Sequence, residues 1–276
     1  MTRHWLAHLQ LQFESGARHT KLQRAKHFGP LRVQRPFYPE GDVCHLYILH
    51  PPGGMAPGDK LSLEATLGRD STVLLTTPSA GKVYCSDTWQ HPQQQGIIAN
   101  LGDKSCLEWL PQETIVFSGA EVALNNHFEL QGDAQLIAWD IVCLGRRASG
   151  EQFQRGNCMQ RIDVNRDGKP LLRERCHWQG GSTLLDAHWG MGANVVSGTL
   201  FATVETARQQ LDDWREALTR LRLDGEWGVS QKPGIFVARY LGMSAADCRS
   251  GFETLWSFLR PLVNSKPACR PRIWNT

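Results

Sequence analysis

HPPGGMAPGDKLSLEATLG, residues 50–68, sets a loop broken by Gly and Pro directly against an alternating run. From Leu61 onward the apolar side chains take every second place: Leu61, Leu63, Ala65 and Leu67. A period of two gives one buried and one wet face, the mark of a strand in a layered sheet. The same alternation runs from Leu9 to Phe13 in LQLQF. STVLLTT, SCLEWLP, ETIVFSG, EVALNNHFEL and QLIAWDIVCLG follow, separated by Gly, Pro, Asn or Asp. Within RIDVNRDGKPLLRERCHW, Asp167-Gly168 between two alternating runs reads as a hairpin turn. Many short strands at this spacing predict a mainly β fold: a sandwich, a barrel or a solenoid. No clean repeat chooses among the three.

Two helices are expected, both late. In TARQQLDDWREALTRLRLDG, Ala207, Leu211, Trp214, Leu218 and Leu221 recur at helical spacing, Thr206 with Gln209 forms a capping box, and Gly225 ends the run. In SAADCRSGFETLWSFLRP, Ser244 and Asp247 suggest a cap, Cys248, Phe252, Leu255 and Leu259 form the stripe, and Pro261 is expected to stop the helix. GIFVARYLG between them reads as a strand. No Pro/Ser-rich linker divides the chain. The expectation is one domain over residues 1–276, β-rich over 1–203 and helix–strand–helix over 204–276.

The 276 residues suffice for a sizeable core, and the apolar share of 41% and charged share of 21% are ordinary for a soluble globule. A net charge of +3 argues for neither nucleic acid nor a membrane surface as partner. The opening MTRHWLAHLQLQFES lacks the apolar core of a signal peptide, and no run is long enough to span a membrane. The eight Cys include no CxxC and read as reduced thiols, so a cytoplasmic location is expected.

Catalytic signatures are missing: GxSxG, HExxH, GxGxxG and HxE…PCxxC do not occur. No catalytic residue is assigned from these motifs. Gly81-Lys82 fails as a phosphate loop, since Val83 stands where Ser or Thr is required. Cys44-His45 and Cys176-His177 each put neighbours on opposite faces of a strand, so one member of each pair at most can serve a given metal. Acids in apolar company say more: Glu108 in CLEWLP, Asp140 in LIAWDIVCLG and Glu174 in LLRERCHW. A carboxylate buried alone costs several kcal/mol. Each is therefore solvent-facing by alternation, which is the plainer reading, or set on an internal polar path. Asp59 differs because Gly53, Gly54 and Gly58 permit unusual backbone while Pro51, Pro52 and Pro57 stiffen it. It is either a cap closing its own loop or a carboxylate held out to a passing ligand.

HPPGGMAPGDKL, preceded by GPLRVQRPFYPEGDVCHLYIL and followed by TTPSAGKVY, LEWLPQETIVFSGA, AWDIVCLGR and PRIWNT, resembles the urease accessory protein UreD family, called UreH in some species. The blocks keep the family's order and cover nearly the whole chain. The resemblance implies a protein that is not an enzyme: a maturation scaffold that binds apo-urease and recruits UreF and, through it, the GTPase UreG, so that nickel reaches the urease site. It implies a solenoid-like stack of sheets with two helices, and an internal path for nickel. On this reading Asp59, Asp140 and Glu174 are path candidates, with Asp59 and His50 as metal ligands. Gly53, Gly54, Gly58, Lys82 and Tyr84 are motif residues that shape the structure. Trp256, Phe258 and Trp274 are candidates for partner binding. No cofactor is expected to bind tightly; Ni2+ would pass transiently. Single scattered carboxylates suit an ion in transit, whereas a closed cage of four thiolates would trap it. The alternatives are an assembly scaffold that conducts no metal, and an unrelated β-rich binding module.

Overall fold

The computed structural model describes residues 5–85 and 91–275. Thr276, the last residue of the PRIWNT block, lies outside them. The chain is mainly β, as its alternation predicts. One sheet has seven strands, in the spatial order Lys169–Gln179, Asn157–Arg166, Glu121–Leu130, Gln93–Leu101, Lys60–Leu67, Leu6–Ser15 and Thr20–Phe28. The other has ten. Its main path runs Glu226–Lys232, Ile235–Gly242, Val196–Ala202, Gln135–Leu144, Cys106–Trp109, Thr72–Thr76, Cys44–Leu49 and Arg32–Val33, and Thr114–Val116 and Gly81–Val83 join beside Gln135–Leu144.

Between Cys44 and Arg166 the long strands alternate between the two sheets. Each strand therefore lies parallel to the next from its own sheet: Lys60–Leu67 beside Gln93–Leu101, and Thr72–Thr76 beside Cys106–Trp109. This winding explains why no short sequence repeat marks the fold. The repeating unit is a pair of strands joined by loops of unequal length. At Asp167-Gly168 the expected hairpin is present, and both residues take positive φ (49° and 72°), as a two-residue turn between right-twisted strands requires.

Leu61, Leu63, Ala65 and Leu67 all point inward. With Leu9, Leu11, Phe13, Val122, Phe128 and their neighbours they fill a core between the sheets. A second core lies on the far face of the ten-stranded sheet, under the helices. Three layers thus share two cores, with the ten-stranded sheet in the middle and buried on both faces.

Three helices are present among the described residues. α1 (Thr183–Asp186) is a single turn that the helical patterning did not mark. α2 (Arg208–Arg220) buries Leu211, Trp214 and Leu218, but Leu221 is exposed. Its expected capping box is shifted. Gln210 accepts a hydrogen bond from the Ala207 N–H at 2.9 Å, while Thr206 donates instead to Gln231. The helix ends five residues before Gly225. α3 (Ala245–Asn264) starts as expected, with Ser244 Oγ accepting from Asp247 N at 3.1 Å. Pro261 does not stop it. The helix runs one turn further and closes on Ser265, which adopts a left-handed φ of 59°. Proline removes one donor, and that loss is offset by what the last turn packs: Arg260 and Val263 are both buried. No helix among the described residues is long and apolar enough to cross a membrane.

Candidate functional site: a polar row between the sheets

The core between the sheets has a polar interruption. A cavity of about 310 Å³ opens between the loops around residues 50–53 and 77–82 and reaches inward to Asn126 and Asp140. His50, Lys82, Gln95 and Gln112 stand on its wall. The 50–58 loop forms the rim for local reasons. Gly53 and Gly58 have φ of 78° and 86°, and a Cβ on Gly54 would lie 2.3 Å from the Tyr84 ring. Tyr84 N–H donates to Met55 O, and Met55 N–H to Lys82 O, so the motif residues clamp the rim to strand Gly81–Val83.

Asp140 lies at the inner end. Strand Gln135–Leu144 alternates Trp139 and Ile141 toward the helices and Ala138, Asp140 and Val142 toward the other sheet. The residue is 7% exposed, and its carboxyl group accepts a hydrogen bond from Asn126 Nδ2 at 2.8 Å; Gln160 also hydrogen-bonds it. Burial pushes its pKa up to about 6, against the pull of these amides.

Across the antiparallel pairing Asp140 faces Thr199. Thr199 Oγ1 lies 3.3 Å from Glu174 Oε2, and Glu174 is ion-paired with Arg239, whose side chain is half exposed. Cys176 sits two residues from Glu174 on the same inward face, opposite Gln160 in register. His50, Asn126, Asp140, Gln160, Thr199 and Glu174 therefore mark a polar row from the rim loops to the far side of the sandwich.

Asp59 has a different place. Its Oδ2 accepts from Ala56 N–H at 2.8 Å and its Oδ1 from Trp5 N–H at 3.2 Å. The carboxylate closes its own loop and stitches it to the start of the first strand, as the plainer reading expected. It is buried and close enough to His50 to counter the effect of burial, which lowers the pKa of that imidazole. His50 Nε2 is buried without a hydrogen-bond partner.

The aromatic candidates for partner binding fare differently. Trp256 and Trp274 are buried at 1% and 8% exposure and pack edge-to-face against each other, so both are core residues in this fold. Trp256 Nε1–H donates to Glu108 and Trp274 Nε1–H to Thr76. Phe258 is partly buried and stacks on Trp214.

Glu108 faces neither solvent nor the polar row. It projects to the helix side, where Arg260 Nε donates to it at 3.0 Å. Arg260 also bridges both oxygens of Glu40, at 2.6 and 2.7 Å. Burial opposes charge on Glu40, but hydrogen bonds from His45 and Arg260 outweigh it and hold the acid down to about 2. Sequence reasoning missed this network. The available signal was Arg260 itself, a guanidinium on the apolar stripe of α3, which demands a buried acid.

Comparison with known proteins agrees with the sequence motifs. A family model described as UreD urease accessory protein matches residues 6–275. The chain is 48% identical over 278 residues to the urease accessory protein UreD of Saccharophagus degradans, covering 100% of this chain and 94% of that protein. It is 43% identical to the UreD of Citrobacter koseri over 279 residues (100% and 93% covered). It is 42% identical to the UreD of Dechloromonas aromatica over 275 residues (99% and 95% covered).

Proposed function

The chain belongs to the UreD urease accessory protein family, and from that premise we propose that it is a non-catalytic scaffold that offers nickel an internal route to apo-urease. In this reading it binds apo-urease and recruits UreF and, through it, the GTPase UreG. The observation that supports the route is the cavity ending at Asp140. It is a polar line through an otherwise apolar sandwich, with oxygen and imidazole donors spaced singly along it. Nickel(II) accepts such donors. A carboxyl titrating at about 6 exchanges its proton for an ion readily near neutral pH, which suits passage better than storage. Asp140, whose partners are neutral N–H donors, and His50, whose Nε2 has no partner, are the groups open to an ion. Asp59 holds the rim, and Glu174 joins only when Arg239 swings away.

The test is urease activation reconstituted with nickel, bicarbonate, UreF and UreG. Wild type is compared with Asp140→Ala and Asp59→Ala, and complexes are followed by gel filtration of the same samples. The route predicts that Asp140→Ala forms complexes normally but activates urease at least ten-fold less. Full activation by Asp140→Ala would leave a scaffold that conducts no metal. The occupied carboxylates of Asp59 and Glu174 favour that second reading.

A further inference from the structure

The Cys44-His45 dipeptide leads to a second site on the other face of the middle sheet. Cys44 and Leu46 point into the core between the sheets, so His45, between them, points to the helix side. Its ring is fully buried. Nε2 is 2.6 Å from Glu40 Oε1, and Nδ1 has no hydrogen-bond partner. The C-terminal tail brings Cys269 over the same point, and one ligand atom each from Glu40, His45 and Cys269 lies within 4.8 Å of the others. Two chain segments far apart in sequence thus converge a carboxylate, an imidazole and a thiol.

We propose that Glu40, His45 and Cys269 form a binding site for a divalent transition-metal ion of the nickel and zinc class, separate from the polar row between the sheets. A mixed oxygen, nitrogen and sulfur set suits these borderline ions and not calcium or magnesium. Three protein ligands leave a position for water or an incoming donor. Two features of the surroundings favour the ion. Nδ1 is buried without a hydrogen-bond partner, so the ring has an unsatisfied polar atom beside the site. Around it, two acids, Glu40 and Glu108, share the single guanidinium of Arg260. A divalent ion binds Cys269 as the thiolate, its proton released to solvent. Arg260 keeps its bond to Glu40 Oε2 throughout and orients the carboxylate. Cys269 is only partly buried, so an ion can enter from the tail side.

The full-length metal-free protein is titrated with Ni2+ and followed by thiolate-to-metal charge-transfer absorption. Absorption saturating at one equivalent, abolished by Cys269→Ser and kept by Cys85→Ser, is expected. In parallel, iodoacetamide labelling of Cys269 is mapped by mass spectrometry, and Ni2+ is expected to slow it at least ten-fold. The wild-type chain alone decides this second measurement, so it stands even where a variant folds poorly. Charge-transfer absorption that is missing or unchanged in Cys269→Ser, or labelling indifferent to Ni2+, overturns the site.

Discussion

At the scale of single residues, Asp140 carries the sharpest consequence. An Asp ordinarily titrates at 3.8, and this one at about 6 because it is buried. The folded chain therefore holds the proton more tightly than the unfolded chain. Its contribution to stability is full below about pH 3.8 and is lost as the pH rises through 6, a difference of about 3 kcal/mol. Asp140→Asn keeps the shape and removes the charge. It is expected to be more stable than wild type at pH 7.5 by about 2 kcal/mol and to flatten the stability profile between pH 4 and 6. Urea denaturation at a series of pH values measures both; an unaltered profile would show that the carboxyl is better solvated than its burial implies. Asp59 gives a contrasting case. Its two backbone hydrogen bonds make Asp59→Ala costly by about 1–3 kcal/mol, whereas Asp59→Asn keeps one acceptor and loses less. Thermal melts of the two variants separate loop closure from any effect on nickel. The sequence flagged both acids for their company alone. It could not say which faced a cavity, because alternation names two faces and not what covers them. Glu108, flagged in the same way, lies under α3.

At the scale of elements, Leu6–Ser15 and Lys60–Leu67 were legible from a clean period of two, strands of the middle sheet such as Gln135–Leu144 only as apolar runs between turn residues because both their faces are buried, and α3 because its cap and stripe agree. The end of α3 was not legible. Local rules place a stop at Pro261, but the tertiary network of Arg260 with Glu108, Glu40 and the Pro267 carbonyl holds another turn. Arg260→Met tests how much that network contributes. It leaves two carboxylates close together without their buried counter-charge, and the expected loss is about 3–5 kcal/mol, read from the denaturant midpoint. Removing one partner strands the others, so pairing Arg260→Met with Glu108→Gln is expected to recover part of that loss. A midpoint unmoved by Arg260→Met would mean that water reaches the pair. The tail responds in the same manner. Trp274 packs on Trp139 and Trp256, so Trp274→Ala is expected to cost about 3–5 kcal/mol, a loss of core and not of partner contact. Aromatic residues near the end of a chain read as surface anchors by position; only the fold shows that the tail doubles back over α3.

At the scale of the whole molecule, the middle sheet divides two kinds of polar burial. Between the sheets Asp140 is supported by amides and reached from a cavity, and the one ion pair of the row, Glu174 with Arg239, lies at its far end. Under the helices they are paired, charge-dense and tied to the tail. Two cores with different chemistry can be perturbed independently, because residues far apart with no shared partners contribute additively. This separation makes the proposed route testable without confusing it with folding. Asp140→Asn and Leu218→Ala, which opens the helix-side core away from both polar sites, are expected to act in opposite senses. The first raises stability and lowers urease activation in the reconstituted assay at least ten-fold. The second lowers stability but leaves activation per folded molecule near that of wild type, provided that the assay runs well below its melting temperature. Measuring activation against the folded fraction, by circular dichroism on the same samples, decides the matter. Activation that tracks stability in both variants would mean that the chain acts through its surface alone, and that the polar row between the sheets carries no nickel.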